Sequence, residues 1–170
     1  MRPLPVSTVG SFPKPDYVLR ARTAYTRKNI SEYELHQAER KAIAETIRLQ
    51  EELGIDVLVH GEHEREDMAT YFGDHLENMG VSGWVRAYGN RYYRKPVVQG
   101  EIKRREPITV EWFKYAQSLT DRPVKGMVTG PYTMMDWSFD EFYESRRDCT
   151  LAFARALRGE VEDLAKAGAK

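Results

Sequence analysis

Four short apolar runs, each closing on glycine and spaced by longer polar segments, constrain this chain more than any other feature. "LPVSTVG" (4–10), "GIDVLVHG" (54–61), "KPVVQG" (95–100) and "PVKGMVTG" (123–130) are short, β-branched and turn-bounded, the form of strands covered on both faces. Between the first two, Ser31 followed by Glu34 reads as a capping box, in which each side chain satisfies the other's free backbone N–H. Leu35, Ala38, Ala42, Leu49 and Leu53 then recur at helical spacing, and Gly54 stops the helix. A second helix is expected over 109–119 and a last over roughly 140–168, with Phe142, Cys149, Phe153, Leu157, Val161 and Leu164 on one stripe. On that stripe Cys149 reads as a small buried hydrophobe.

Strand–helix alternation of this kind predicts parallel strands joined by right-handed crossovers. The 170 residues hold about four such units, whereas a complete (β/α)8 barrel takes about 250 residues. The expected fold is therefore α/β: the first four strand–helix units of a TIM barrel, residues 1–170 forming its N-terminal half. A self-contained four-stranded open sheet is the alternative. Four units would leave open strand edges, which invite a second barrel half, a partner chain or self-association.

Charge and composition narrow the function classes. Lys plus Arg equals Asp plus Glu at 26 each, against the basic excess expected of a surface for nucleic acid or anionic membrane. No apolar run approaches a membrane span, and "MRPLPVSTVGSF" has no signal-like apolar core. A single cysteine permits no internal disulfide, and a cytoplasmic location is the expectation.

In parallel α/β folds reactive residues gather at the C-terminal ends of strands. Those ends here are "VGSF", "HGEHER" and "TGPYTMMDWSF". Gly10 and Ser11 offer close backbone N–H groups to a carboxylate, and Glu62 offers an anion to an ammonium group. Together they suit the two ends of an amino acid. "HGEHER" also admits a metal reading through His60, Glu62 and His63, which lacks a distant further ligand. His60, before a glycine at a strand end, reads as a hydrogen-bonded structural histidine. His63 reads as surface or pocket rim. Glu64, Arg65, Glu66 and Asp67 read as a charged helix start, the acids complementing the N-terminal dipole.

Longer blocks carry a resemblance: "STVGSFP" (7–13), "LGIDVLVHGEHEREDMATYFGDHL" (53–76), "GWVRAYGNR" (83–91), "KPVVQGEI" (95–102), "PITVEWFKYAQSLTDRPVKGMVTGP" (107–131), "WSF" (137–139) and "ALRGEVEDLAKAG" (156–168). Through them the chain resembles the C-terminal catalytic barrel of the cobalamin-independent methionine synthases, which are 5-methyltetrahydropteroyltriglutamate–homocysteine methyltransferases. The resemblance implies a TIM barrel and methyl transfer from a methyltetrahydrofolate to the thiol of homocysteine. It implies that Val9, Gly10 and Ser11 cradle the homocysteine carboxylate, that Glu62 meets its amino group, and that Arg91, Tyr92 and Trp137 face the folate. At position 92 the family commonly has Cys, so Tyr92 departs from its pattern. The resemblance also implies a zinc ion that binds the homocysteine sulfur, and no cobalamin. Its zinc ligands lie in later motifs that this sequence does not contain, so neither a metal ligand nor a catalytic residue is expected among residues 1–170. On this resemblance the chain is expected to start almost at the first barrel strand, with no separate N-terminal folate domain. By itself it is expected to be inactive, and its alternatives are a non-catalytic amino-acid-binding half-barrel or one partner of a split methyltransferase.

Overall fold

In the computed structural model, Ser31 and Glu34 form the reciprocal cap that the sequence announces. Ser31 Oγ accepts from the Glu34 N–H at 3.3 Å, and the Ser31 N–H donates to Glu34 Oε2 at 2.8 Å. The structure describes residues 4–86, 89–90 and 92–169. They fall into two compact units, one of residues 4–65, 110–127 and 167–169, the other of 66–109 and 128–166.

The first unit holds helices α1 (Asp16–Thr26), α2 (Glu32–Glu52) and α4 (Val110–Gln117) around three extended segments. Those segments pair in parallel through single bridges, Ser7 with Val57 and Leu58 with Val124. The order is thus first, second, then the run at 123–130. Leu58 and Val59 are fully buried, as the apolar run at 54–61 requires.

The buried face of α2 is Leu35, Glu39, Ala42, Ile43, Thr46, Ile47 and Gln50. Leu49 and Leu53, expected on the inner stripe, are exposed at 45% and 68%. Three polar residues lie inward instead, because each finds partners there. Gln50 donates to the Val59 carbonyl at 2.8 Å and accepts from the Val59 N–H at 3.1 Å. Its amide thus acts as a one-residue strand partner, meeting the demand of buried backbone for hydrogen bonds. Against α2, Trp112 of α4 meets His36 edge to face at 5.1 Å.

The second unit is a long antiparallel hairpin, β1 (Leu76–Arg86) and β2 (Tyr92–Arg104), with α3 (Met68–Asp74), α5 (Pro131–Asp136) and α6 (Arg146–Lys166). A short strand β3 (Phe139–Asp140) pairs in parallel with β2 at Val97 and Val98. The run at 95–100 is therefore the centre of a hairpin strand, outside the parallel set of segments at Ser7, Val57–Leu58 and Val124. That corrects the expectation of four strand–helix units: among the described residues, three of the four expected runs join one parallel set, and the fourth lies in the hairpin. The reason is local. Residues 92–104 pair antiparallel with the segment immediately before them, with register shifts at Glu77/Met79 and Val81/Trp84, and this connection needs no crossover.

Helix α6 buries Cys149, Phe153, Leu157 and Leu164 as expected, while Phe142 and Val161 are exposed. Burial, seconded by Asp140, pushes the Cys149 thiol up to about 12, so it packs as a hydrophobe. Glu160, fully buried on the same face, accepts from Arg104 Nε, from the Ile108 and Thr109 N–H groups and from the Thr109 hydroxyl at 2.7–3.0 Å.

Candidate functional site

The ends of the first two parallel segments are tied together. The Phe12 N–H donates to the Gly61 carbonyl at 3.0 Å, which brings residues 9–11 beside Glu62. Val9 and Ser11 are exposed, and Gly10 sits at φ +89° with open space where a Cβ would stand. The backbone here is an accessible bend in a conformation that favours glycine.

Gly61 and Glu62 are also left-handed, at φ +89° and +59°. For a glutamate this conformation costs of order 1–3 kcal/mol, and it persists only where the surroundings over-determine it. They do. His63 Nε2 lies 2.7 Å from Thr46 Oγ1, and the His63 carbonyl accepts from Arg22 Nη2 at 2.6 Å. A Cβ on Gly61 would stand 2.7 Å from His63 Nε2. His60 Nε2 donates to Glu64 Oε1 at 2.9 Å, both side chains being 3% exposed. The loop is pinned on both sides of Glu62.

Glu62 itself is 5% exposed. Its Oε2 accepts from Arg65 Nε at 3.0 Å and lies 2.6 Å from Arg65 Nη2 in an ion pair. Its Oε1 is buried and has no hydrogen-bond partner among the described residues. A buried carboxylate oxygen without a donor is rare unless it meets a ligand or water.

Around this loop lies a set of shifted groups. Burial, then the Lys14 cation, lower His63 to about 4, so its ring is neutral near pH 7. Burial raises Glu39 to about 7, with Arg22 opposing and Glu64 adding to the rise. Burial works against the charge of Glu64, but the His60 ring outweighs it and leaves that carboxyl below its usual range.

These positions correct two expectations. His63 is 1% exposed and belongs to the wall of the loop, not to a rim. Glu64 and Arg65 do not start a helix: each turns inward to pair with His60 and Glu62. Asp67 alone caps α3, accepting from the Ala69 and Thr70 N–H groups at 2.8 and 2.9 Å. His60 is the buried, hydrogen-bonded histidine expected. Arg65, Thr46 and Glu39 were missed; the available signal was that Glu39, Thr46 and Gln50 run in phase with Leu35 and Ala42 on α2.

Of the remaining candidates, Tyr92 and Trp137 belong to the second unit. Arg91 lies outside the described residues. Tyr92 opens β2 and is 61% exposed. Trp137 follows α5, packs on the core of its unit and meets the Tyr93 ring at 5.2 Å. Among the described residues no three His, Cys, Asp or Glu side chains gather as a metal site. No described helix is long and apolar enough to cross a membrane.

Residues 4–170 match the family described as "Cobalamin-independent synthase, Catalytic domain". The chain belongs to that family. Among curated relatives, a 5-methyltetrahydropteroyltriglutamate–homocysteine methyltransferase of Parvibaculum lavamentivorans is 48% identical over 97% of this chain, and one of Synechococcus sp. is 49% identical over 98%. The chain spans 22% of the length of each. A solved B12-independent methionine synthase from Shewanella sp. W3-18-1, in complex with selenomethionine, superposes with a TM-score of 0.80 at 28% identity, over 98% of this chain and 49% of that one. The cobalamin-independent family carries no B12 group, and this member has the family's α/β character.

Proposed function

We propose that this chain supplies the amino-acid site of a homocysteine methyltransferase, the acceptor half of a reaction that takes a methyl group from a methyltetrahydrofolate or related donor to form methionine. The observation that carries the reading is the Phe12–Gly61 hydrogen bond. It sets an open backbone turn at Val9, Gly10 and Ser11 beside a buried carboxylate, Glu62, that keeps one oxygen without a donor among the described residues. Backbone N–H groups of the turn and the Ser11 hydroxyl receive the substrate carboxylate. Glu62 receives the ammonium through a charge-assisted bond in a nearly dry setting. Held at both ends, the substrate has little freedom left, and its thiol is aimed by the binding of the rest.

The three parallel segments are read as opening strands of a family TIM barrel, of which residues 1–170 form the N-terminal part. Arg91, Tyr92 and Trp137 are assigned to the folate side, where flat guanidinium, phenol and indole faces suit a pterin. The zinc of the reaction class is assigned to residues outside this sequence, and a second barrel part or partner chain is needed to bring them. Residues 1–170 alone are accordingly expected to form no methionine. A cytoplasmic location fits this metabolic role.

Calorimetry on the intact protein tests the reading. Homocysteine is expected to bind Glu62→Gln on the order of tenfold more weakly than wild type, the weight of one charge-assisted bond. 4-Sulfanylbutanoate, the same chain without the amino group, is expected to bind both equally. Unchanged homocysteine affinity in the variant would remove Glu62 from the site.

A further inference from the structure

Glu62 is useful only if its carboxylate is held with one oxygen turned to its ligand, and the loop pins the backbone but not the carboxylate plane. His63 is held by Thr46 and Arg22, Gly61 by Phe12, and His60 by Glu64. Among the described residues, none of these hydrogen-bonds to the Glu62 carboxyl group. The group that does is Arg65, three residues on, whose Nε donates to Oε2 and whose Nη2 forms an ion pair with the same oxygen. The Arg65 side chain is itself 9% exposed.

We propose that Arg65 is a positioning residue for the ammonium site: by holding Glu62 Oε2 through the Nε–H hydrogen bond and the Nη2 ion pair, it fixes the carboxylate plane and reserves Oε1 for the substrate amino group. The proposal rests on the reading of Glu62 given above. Two physical points support it. An end-on clamp on one oxygen blocks rotation about the last side-chain bond, whereas a fork engaging both oxygens would occupy the acceptor that the ligand needs. The guanidinium also offsets the carboxylate charge before substrate arrives, so the loop does not bury an unpaired anion. The "E-x-x-R" spacing of Glu62 and Arg65 has a function in this turn that a helix start would not give it.

Affinities of the intact protein for homocysteine and 4-sulfanylbutanoate, compared across variants, test the proposal. Arg65→Gln is expected to weaken homocysteine on the order of tenfold and the desamino analogue less than about twofold, matching the loss of one preorganised charge-assisted bond. Combined with Glu62→Gln it is expected to add nothing, since both act through one oxygen. Arg65→Lys, which keeps the charge, is expected to recover part of the loss and to unfold close to wild type, so that a folding defect in Arg65→Gln leaves a readable variant. Equal weakening of both ligands by Arg65→Gln and Arg65→Lys would mark a merely structural arginine and overturn the proposal, as would unchanged affinity. If Arg65 variants fail this test while Glu62→Gln still separates the two ligands, the Glu62 reading stands alone. If Glu62→Gln does not separate them, both fall.

Discussion

Glu62 and Glu160 are both buried, and each is bound by an arginine, yet their surroundings differ in kind. Glu160, on α6, accepts from Arg104 Nε, two backbone N–H groups and a threonine hydroxyl, and its Oε2 lies 2.9 Å from Arg104 Nη2. Both of its oxygens are used, and its backbone is ordinary helix. Glu62 sits in a left-handed turn, has one donor residue and leaves Oε1 without a partner among the described residues. A saturated carboxylate in a relaxed backbone holds its neighbours in place. A half-satisfied one in a strained backbone is ready to bind something else.

The largest effect expected from this contrast is in stability. Glu160→Ala should cost roughly 3–5 kcal/mol in denaturant unfolding, because it strands backbone donors and part of Arg104; a loss below about 1 kcal/mol would erase the distinction. Gly61→Ala comes next. Its Cβ, built 2.7 Å from His63 Nε2 at φ +89°, should cost about 1–3 kcal/mol from strain. Gly10→Ala shares the same φ but meets open space, so its cost should be about 1 kcal/mol of backbone strain alone. Equal losses at the two glycines would mean that the loop around Glu62 is not tightly framed. Glu62→Gln keeps an acceptor for Arg65 and should cost only about 1 kcal/mol in unfolding, while lowering homocysteine affinity as above.

The smallest effects lie in the pH dependence of the loop. His63 is lowered from 6.5 to about 4, so the unfolded chain binds a proton there that the folded chain refuses. Its contribution is present above pH 6.5 and is lost as pH falls toward 4. Glu39 is raised from 4.5 to about 7, so its contribution is present below pH 4.5 and is lost as pH rises toward 7. The two slopes oppose. His63→Gln should flatten the acid side of an unfolding-versus-pH curve and Glu39→Gln the neutral side, and a curve unchanged by either substitution would contradict the burial of both groups.

Much of this was legible locally. The Ser31–Glu34 box, the stop at Gly54, the buried run at 57–59 and the packing role of Cys149 follow from short-range pattern, and the motif blocks carried the family. The strand at 95–100 was not, because a β-branched run closing on glycine looks the same in a parallel strand and in a hairpin. Its partner is chosen by whether the preceding segment can fold back on it, and here Leu76–Arg86 does.

By itself the sequence determined the α/β character, the helix caps, the family and the placing of Gly10, Ser11 and Glu62 at segment ends. Only the tertiary structure decided that His63 faces inward, that Arg65 clamps one oxygen of Glu62, and that Glu39, Thr46 and Gln50 form the polar inner face of α2. The physical reason is that the inward or outward choice of a polar side chain depends on whether a partner waits inside. Hydrophobic periodicity records only apolar burial, and the partners of these residues come from other segments that the fold brings near.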